Sequence, residues 1–193
     1  LVSGIPAPPD YFFYNAEMNK ISDKPSTKDL LKTAVNELSV EDFNEHVKDP
    51  NTTIIDTRNS PEYKKAHAPK SLFIPLKGKF AIWAGNLIAD SKNPIVILCD
   101  QGTENECITR LARTGIDKVI GYFTDFEAYK EKGFPTESVR DVQPDEVFAK
   151  YSKKEEDFDI VDVRNLGEYN SGHIDSVHLV SLNVLNKNLN LIN

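Results

Sequence analysis

The residue with the greatest chemical potential in this chain is Cys99. It directly follows the apolar run Ile95-Val96-Ile97-Leu98 and starts the loop Cys99-Asp100-Gln101-Gly102-Thr103-Glu104, ahead of a helix-like stretch at 105–114. A thiol at a strand end beside a helix N-terminus faces backbone N–H groups, and such an environment favours the thiolate. The neighbouring side chains act the other way. Asp100, Glu104 and Glu106 follow in quick succession, and no basic residue appears before Arg110. Carboxylates within ~4–6 Å of a thiolate disfavour it. One pK unit of such a shift costs about 1.4 kcal/mol, roughly tenfold in thiolate fraction near neutral pH. The same acidic side chains repel anionic ligands. The other cysteine, Cys107, falls in the helix that follows and reads as a core residue rather than a resolving thiol; nothing in the sequence supports a Cys99–Cys107 disulfide.

Other chemistries find less to work with. The four histidines, His46, His67, His173 and His178, have no metal-site spacing, so surface or capping roles are expected and no metal site is assigned. No Gly-x-Gly-x-x-Gly follows a strand, which argues against a dinucleotide site. A net charge of −7 argues against nucleic acid or an anionic membrane surface as partner. No apolar run approaches the roughly 20 residues of a membrane-spanning helix. With 39% hydrophobic and 27% charged residues the composition is that of a soluble globular protein. Two cysteines are too few for a disulfide framework, which makes a cytoplasmic location the expectation. The start Leu1-Val2-Ser3-Gly4 has neither an initiator Met nor a signal-peptide layout, so the chain reads as part of a longer protein.

The elements that must position Cys99 follow from periodicity. Thr53-Ile54-Ile55-Asp56 and Ile95-Val96-Ile97-Leu98 are continuous apolar runs of the buried, parallel-strand kind. Helix-like stretches lie at 40–48, 60–66, 78–88, 105–114 and 124–131, with Ser39 as N-cap of the first and Asp42 three residues on. Strands alternating with helices imply an α/β fold with a mostly parallel central sheet flanked by helices. Before this region, Pro6, Pro8, Pro9 and Pro25 rule out a continuous helix, and the aromatics Tyr11 to Tyr14 sit in an extended tail or linker. The run Lys153-Lys154-Glu155-Glu156-Asp157 reads as a solvated loop.

An internal repeat organises the rest. Ile54-Ile55-Asp56-Thr57-Arg58-Asn59-Ser60-Pro61-Glu62-Tyr63 returns as Ile160-Val161-Asp162-Val163-Arg164-Asn165-Leu166-Gly167-Glu168-Tyr169, an offset of 162 − 56 = 106 residues. The same offset carries His67 onto His173 and Leu76 onto Leu182. A period this long marks a duplicated domain. The second copy reaches Asn193 before it could repeat the strand Ile95 to Leu98.

The repeated string Asp-x-Arg-x-x-x-Glu-Tyr-x-x-x-His resembles the opening signature of the rhodanese-like family, and the Cys99 loop, the stretch Leu111-Ala112-Arg113-Thr114-Gly115 and the closing stretch Gly121-Tyr122-Phe123…Tyr129…Gly133-Phe134-Pro135 agree with it. The closing stretch matches the family's final helix. The resemblance implies a rhodanese-like domain over 31–136, then the incomplete start of a second over 137–193. It implies Cys99 as sulfur-carrying nucleophile, in a cradle of Asp100, Gln101, Gly102, Thr103, Glu104 and Asn105. The signature residues Asp56, Arg58, Asp162 and Arg164 read as structural pairs. Glu62, Tyr63 and His67 read as capping and packing residues, and Trp83, Phe123, Phe126 and Tyr129 as core or edge packing. A phosphatase of the related fold would need Arg at position 105, where this chain has Asn.

Residues 1–30, from Ile5-Pro6-Ala7-Pro8-Pro9-Asp10-Tyr11-Phe12 onward, resemble the C-terminus of the metallo-β-lactamase domain in persulfide dioxygenase–rhodanese fusions. That resemblance implies a sulfide- and persulfide-metabolising parent protein with iron in its upstream domain and no cofactor in this chain. It implies small sulfur donors or acceptors (a persulfide, thiosulfate, a low-molecular-weight thiol) and the neighbouring domains as partners, with a homo-oligomer left open. The acidic loop favours a degenerate module that docks or orients its neighbours; the alternative is an active sulfurtransferase carrying persulfide sulfur on Cys99.

Overall fold

The computed structural model describes residues 36–88, 92–153 and 158–188. The tail at 1–30 and positions 154–157 of the charged run lie outside the described residues. The chain divides between Arg140 and Asp141 into two compact units.

In the first unit the order is α1 (Val40–Lys48), β1 (Thr53–Asp56), α2 (Ser60–Lys65), β2 (Leu72–Phe73), α3 (Phe80–Ile88), β3 (Ile95–Leu98), α4 (Glu104–Ala112), β4 (Val119–Phe123) and α5 (Phe126–Glu131). Local chemistry sets several boundaries. The Ser39 hydroxyl accepts the Asp42 N–H at the start of α1, and Asn59 does the same for Glu62 at the start of α2. The stretch expected to be helical from 124 starts at 126, because the Asp125 carboxylate caps it by accepting the Ala128 N–H. Gly121, Tyr122 and Phe123 belong to β4, not to a final helix; their backbone pairs with β3.

All pairings in the four-stranded sheet are parallel, in the order β2-β1-β3-β4. Glu37 adds a parallel bridge beside Tyr122, with Leu38 N–H donating to Tyr122 O and Tyr122 N–H to Asn36 O. The chain steps from β1 outward to β2 and then returns to the other side of β1 for β3. The carboxyl ends of β1 and β3 are therefore a topological switch point, where open α/β sheets leave a crevice.

Strand alternation divides the core into two layers. Ile55, Ile95, Ile97 and Cys99 pack with Phe80, Ala84 and Ile88 of α3 and with Cys107, Ile108 and Leu111 of α4. Ile54, Val96 and Leu98 pack on the other side with Phe43 of α1 and Phe126 and Tyr129 of α5. Phe43 stacks on Phe123 at 4.3 Å and meets Tyr129 edge-on. This is a parallel sheet with helices on both faces, and strands buried on both sides read as continuous apolar runs for that reason.

The second unit holds α6 (Pro144–Ser152), β5 (Val161–Asp162), α7 (Leu166–Asn170), β6 (His178–Leu179) and a 3₁₀ turn at Leu182–Lys187. Strands β5 and β6 pair in parallel as β1 and β2 do, each partner displaced by 106. Asn165 caps α7 in a full capping box with Glu168.

Candidate functional site

Cys99 follows the last residue of β3, and Thr57 follows the last residue of β1. The two strand ends are tied together: Thr57 donates both its N–H (2.9 Å) and its hydroxyl (3.0 Å) to Leu98 O, and Cys99 N–H donates to Phe123 O of β4. After Cys99 the loop turns sharply. Gly102 has φ +85°, and Thr103 returns both N–H and Oγ1 to Asp100 O, the latter at 2.7 Å. A left-handed φ of this kind favours glycine. Helix α4 then begins at Glu104, with no side-chain bond from Thr103 to its first turn. Acidic residues in that turn, Glu104 and Glu106, suit the positive helix end.

The cysteines are both free thiols and both fully buried. Cys107, in α4, packs in the same core layer as Cys99. The Cys107 sulfur also lies 3.6 Å from Thr57 Oγ1. The Cys99 thiol is pushed up, first by donating to the Cys107 sulfur, then by burial and by the charge that Cys107 can carry; Glu104 adds to this, and the Thr103 hydroxyl opposes it. Cys107 is moved down by the Cys99 hydrogen bond, against burial and with help from Thr57 and Thr103. One oxygen of Glu104 is buried without a hydrogen-bond partner.

The cation nearest in sequence is committed elsewhere. Arg110 donates to Leu76 O (2.6 Å) and Gly78 O (3.1 Å), pairs with Glu106, and lies over the Phe80 ring. It fastens α4 to the segment before α3.

The Asp56–Arg58 pair is built into the opposite face of the sheet. Arg58 forks onto both Asp56 oxygens (3.0 and 2.6 Å), donates to Ala66 O and lies 4.1 Å over the Phe126 ring. Both residues are buried. His67 is buried too, stacked on Tyr63 with its Nδ1 2.8 Å from Tyr63 O at the end of α2. The Tyr63 hydroxyl donates to Ser71 O. The second unit repeats this arrangement: Arg164 forks onto Asp162 and donates to Gly172 O, and His173 stacks on Tyr169. There the Arg164 side chain is 44% exposed, against 9% for Arg58.

Structure brings Cys99 together with two residues that sequence reasoning did not assign to the site, Thr57 and Cys107. The available signal was the interval from 99 to 107, a tight loop plus one helical turn, and the place of Thr57 between Asp56 and Arg58. Among the described residues, no group of three or more His, Cys, Asp and Glu side chains is placed to hold a metal ion. No described helix is long and apolar enough to cross a membrane.

The family model for rhodanese-like domains matches residues 39–132. This segment is a rhodanese-like domain. A 90-residue part of the chain is 34% identical to the "Putative sulfur carrier protein YrkF" of Bacillus subtilis (strain 168), covering 46% of this chain and 47% of that protein. The chain thus spans about half the length of that curated relative. Among solved structures, the Alr3790 protein from Anabaena sp. is 16% identical with a TM-score of 0.46, covering 61% of this chain and 93% of its own. A rhodanese-related protein from Thermoplasma volcanium is 18% identical with a TM-score of 0.40, covering 53% and 97%. In the rhodanese-like domain the signature residues Asp56 and Arg58 brace one face of the sheet, and Cys99 closes the other.

Proposed function

We propose that the rhodanese-like domain is a docking and orienting module of a protein that handles sulfide and persulfides, without efficient sulfur transfer of its own. One observation carries this reading. Cys99, at the position of a sulfur-carrying nucleophile, is fully buried under an acidic loop with its thiol pushed up. A sulfur carrier needs an accessible thiolate and a cationic or neutral approach for anionic donors. The parent protein in this reading carries an iron-bearing metallo-β-lactamase-like domain upstream and a second rhodanese module begun by residues 137–193, and works in the cytoplasm. The relative named as a putative sulfur carrier agrees with sulfur handling in general. The test is transfer of sulfur from thiosulfate to cyanide by the purified chain: none above background is expected, and turnover at an ordinary enzymatic rate overturns the reading.

The alternative, a sulfurtransferase carrying persulfide sulfur on Cys99, is favoured by the place of Cys99 at the switch point beside the start of α4. A persulfide that reaches Cys99 and is passed on to an added thiol acceptor, catalytically in chain, decides for it.

A further inference from the structure

We infer that His67 and Glu137 form a proton-dependent latch on the segment that leads from the rhodanese-like domain to α6. The latch lies within the first unit and stands whether or not the domain transfers sulfur.

The segment after α5 folds back onto the end of α2. Glu137 N–H donates to His67 O and His67 N–H to Glu137 O, both at 2.9 Å, in an isolated antiparallel bridge. Val139 N–H donates to Lys64 O, also at 2.9 Å. These bonds take residues 137–139 out of the connector to α6 and make them a strap on the domain. Val139 is 47% exposed and the Glu137 side chain 57% exposed, so apolar burial does little to hold the strap. What remains besides the backbone bonds is the contact of Glu137 Oε2 with His67 Nε2, at 3.8 Å.

The other ring nitrogen sets the sign of that contact. His67 Nδ1 lies 2.8 Å from Tyr63 O, and a carbonyl oxygen only accepts, so Nδ1 holds a proton. In the neutral ring Nε2 is then a bare acceptor facing a carboxylate, and the contact adds nothing to the strap. A second proton makes Nε2 a cationic donor toward Glu137, and the same contact becomes an ion pair. The proton has a route, because the half-exposed Glu137 carboxylate adjoins the buried ring on its Nε2 side.

The other titratable and charged groups around the ring leave this sign unchanged. Tyr63 of α2 stacks on His67 at 3.9 Å and stays neutral, since burial first, then the charges of Asp56 and Glu137, push its hydroxyl up against the bond to Ser71. Arg58 of β1 is forked onto Asp56 and also donates to Ala66 O. Lys64 meets the strap through its backbone carbonyl. The latch therefore closes as pH falls and loosens as it rises, across the window of about pH 5 to 8 in which imidazoles change charge.

Hydrogen exchange of the full chain tests this, read as protection of the His67, Glu137 and Val139 amides relative to the intrinsic rate at each pH. A partly exposed ion pair shifts an equilibrium about two- to fivefold. Wild-type protection at these amides should rise by that factor between about pH 8 and about pH 5. Glu137→Gln keeps the backbone bridge and should show no such rise. The Leu38 and Tyr122 amides, at the β4 edge of the sheet, should behave alike in both proteins. A flat wild-type profile overturns the proposal, as does an equal rise in Glu137→Gln. A rise that the Leu38 and Tyr122 amides share overturns it too, because it reports stability of the whole domain rather than the strap.

Discussion

The Cys107 sulfur lies 3.6 Å from Thr57 Oγ1, while the same hydroxyl donates its proton to Leu98 O at 3.0 Å. The Cys107 thiol donates to that oxygen, so Cys107 and the β3 carbonyl meet at one hydroxyl. Thr57→Val removes it at nearly constant shape. The expected outcome is a loss of roughly 1 kcal/mol in stability by urea titration, together with slower reaction of Cys107 with a thiol reagent in Cys99→Ser background. Thr57→Ser should restore both.

The largest cause of the upward push on Cys99 is Cys107. Cys107→Ser therefore lowers the pH at which Cys99 becomes alkylated by iodoacetamide, relative to the wild-type protein. Burial remains, so the midpoint stays above the free-thiol value of about 8.5. A pH profile of Cys99 alkylation, followed by peptide mass, reads this directly; an unchanged midpoint would show that Cys107 does not hold the Cys99 proton.

Glu104 raises the Cys99 thiol by its charge and has one buried oxygen without a partner. Glu104→Gln should lower the Cys99 midpoint further and speed alkylation near neutral pH. It should also leave stability unchanged or slightly improved, because the charge is removed from a carboxyl group with a buried, unpartnered oxygen. Exposed Asp100→Asn has no such buried oxygen to relieve and should alter stability little.

The ion pairs Asp56–Arg58 and Asp162–Arg164 have the same 2.6 Å contact and different burial. Arg58→Ala leaves the Asp56 carboxylate in the core and removes the cation over Phe126, for a loss of about 3 kcal/mol. Arg164→Ala should be far milder, since solvent replaces the lost partner. Chemical denaturation of the two variants side by side gives the comparison, and equal losses would contradict the burial argument.

Gly121 in β4 has no room for a side chain: an added Cβ would come within 3.0 Å of Leu38 and 3.2 Å of the Asn36 carbonyl oxygen. Gly121→Ala should push the 36–38 segment off the sheet edge and cost roughly 1–3 kcal/mol. Faster hydrogen exchange at the Leu38 and Tyr122 amides, which carry the pairing, would accompany it.

The sequence by itself determined the class of fold, because strands buried on both faces must be continuously apolar and helices between them must be amphipathic. β1, β3 and the cap at Ser39 were legible on those grounds, as was the repeat that copies the Asp–Arg fork and the Tyr–His stack at an offset of 106. β4 was not, since Gly121, Tyr122 and Phe123 have strand character only once Leu98 and Asn36 lie on either side of them. Cys99 was legible as the residue after a buried strand. Tertiary structure alone decided what it meets. Side-chain direction alternates along a strand, and the crossover from β2 to β3 sets which neighbour lies alongside. The fold thereby puts Asp56 and Arg58 on the α5 side and Thr57, Cys99 and Cys107 on the α4 side. Contacts between residues 50 positions apart, such as Thr57 and Cys107, leave no local trace in composition or period, so this one became visible only when the sheet was assembled.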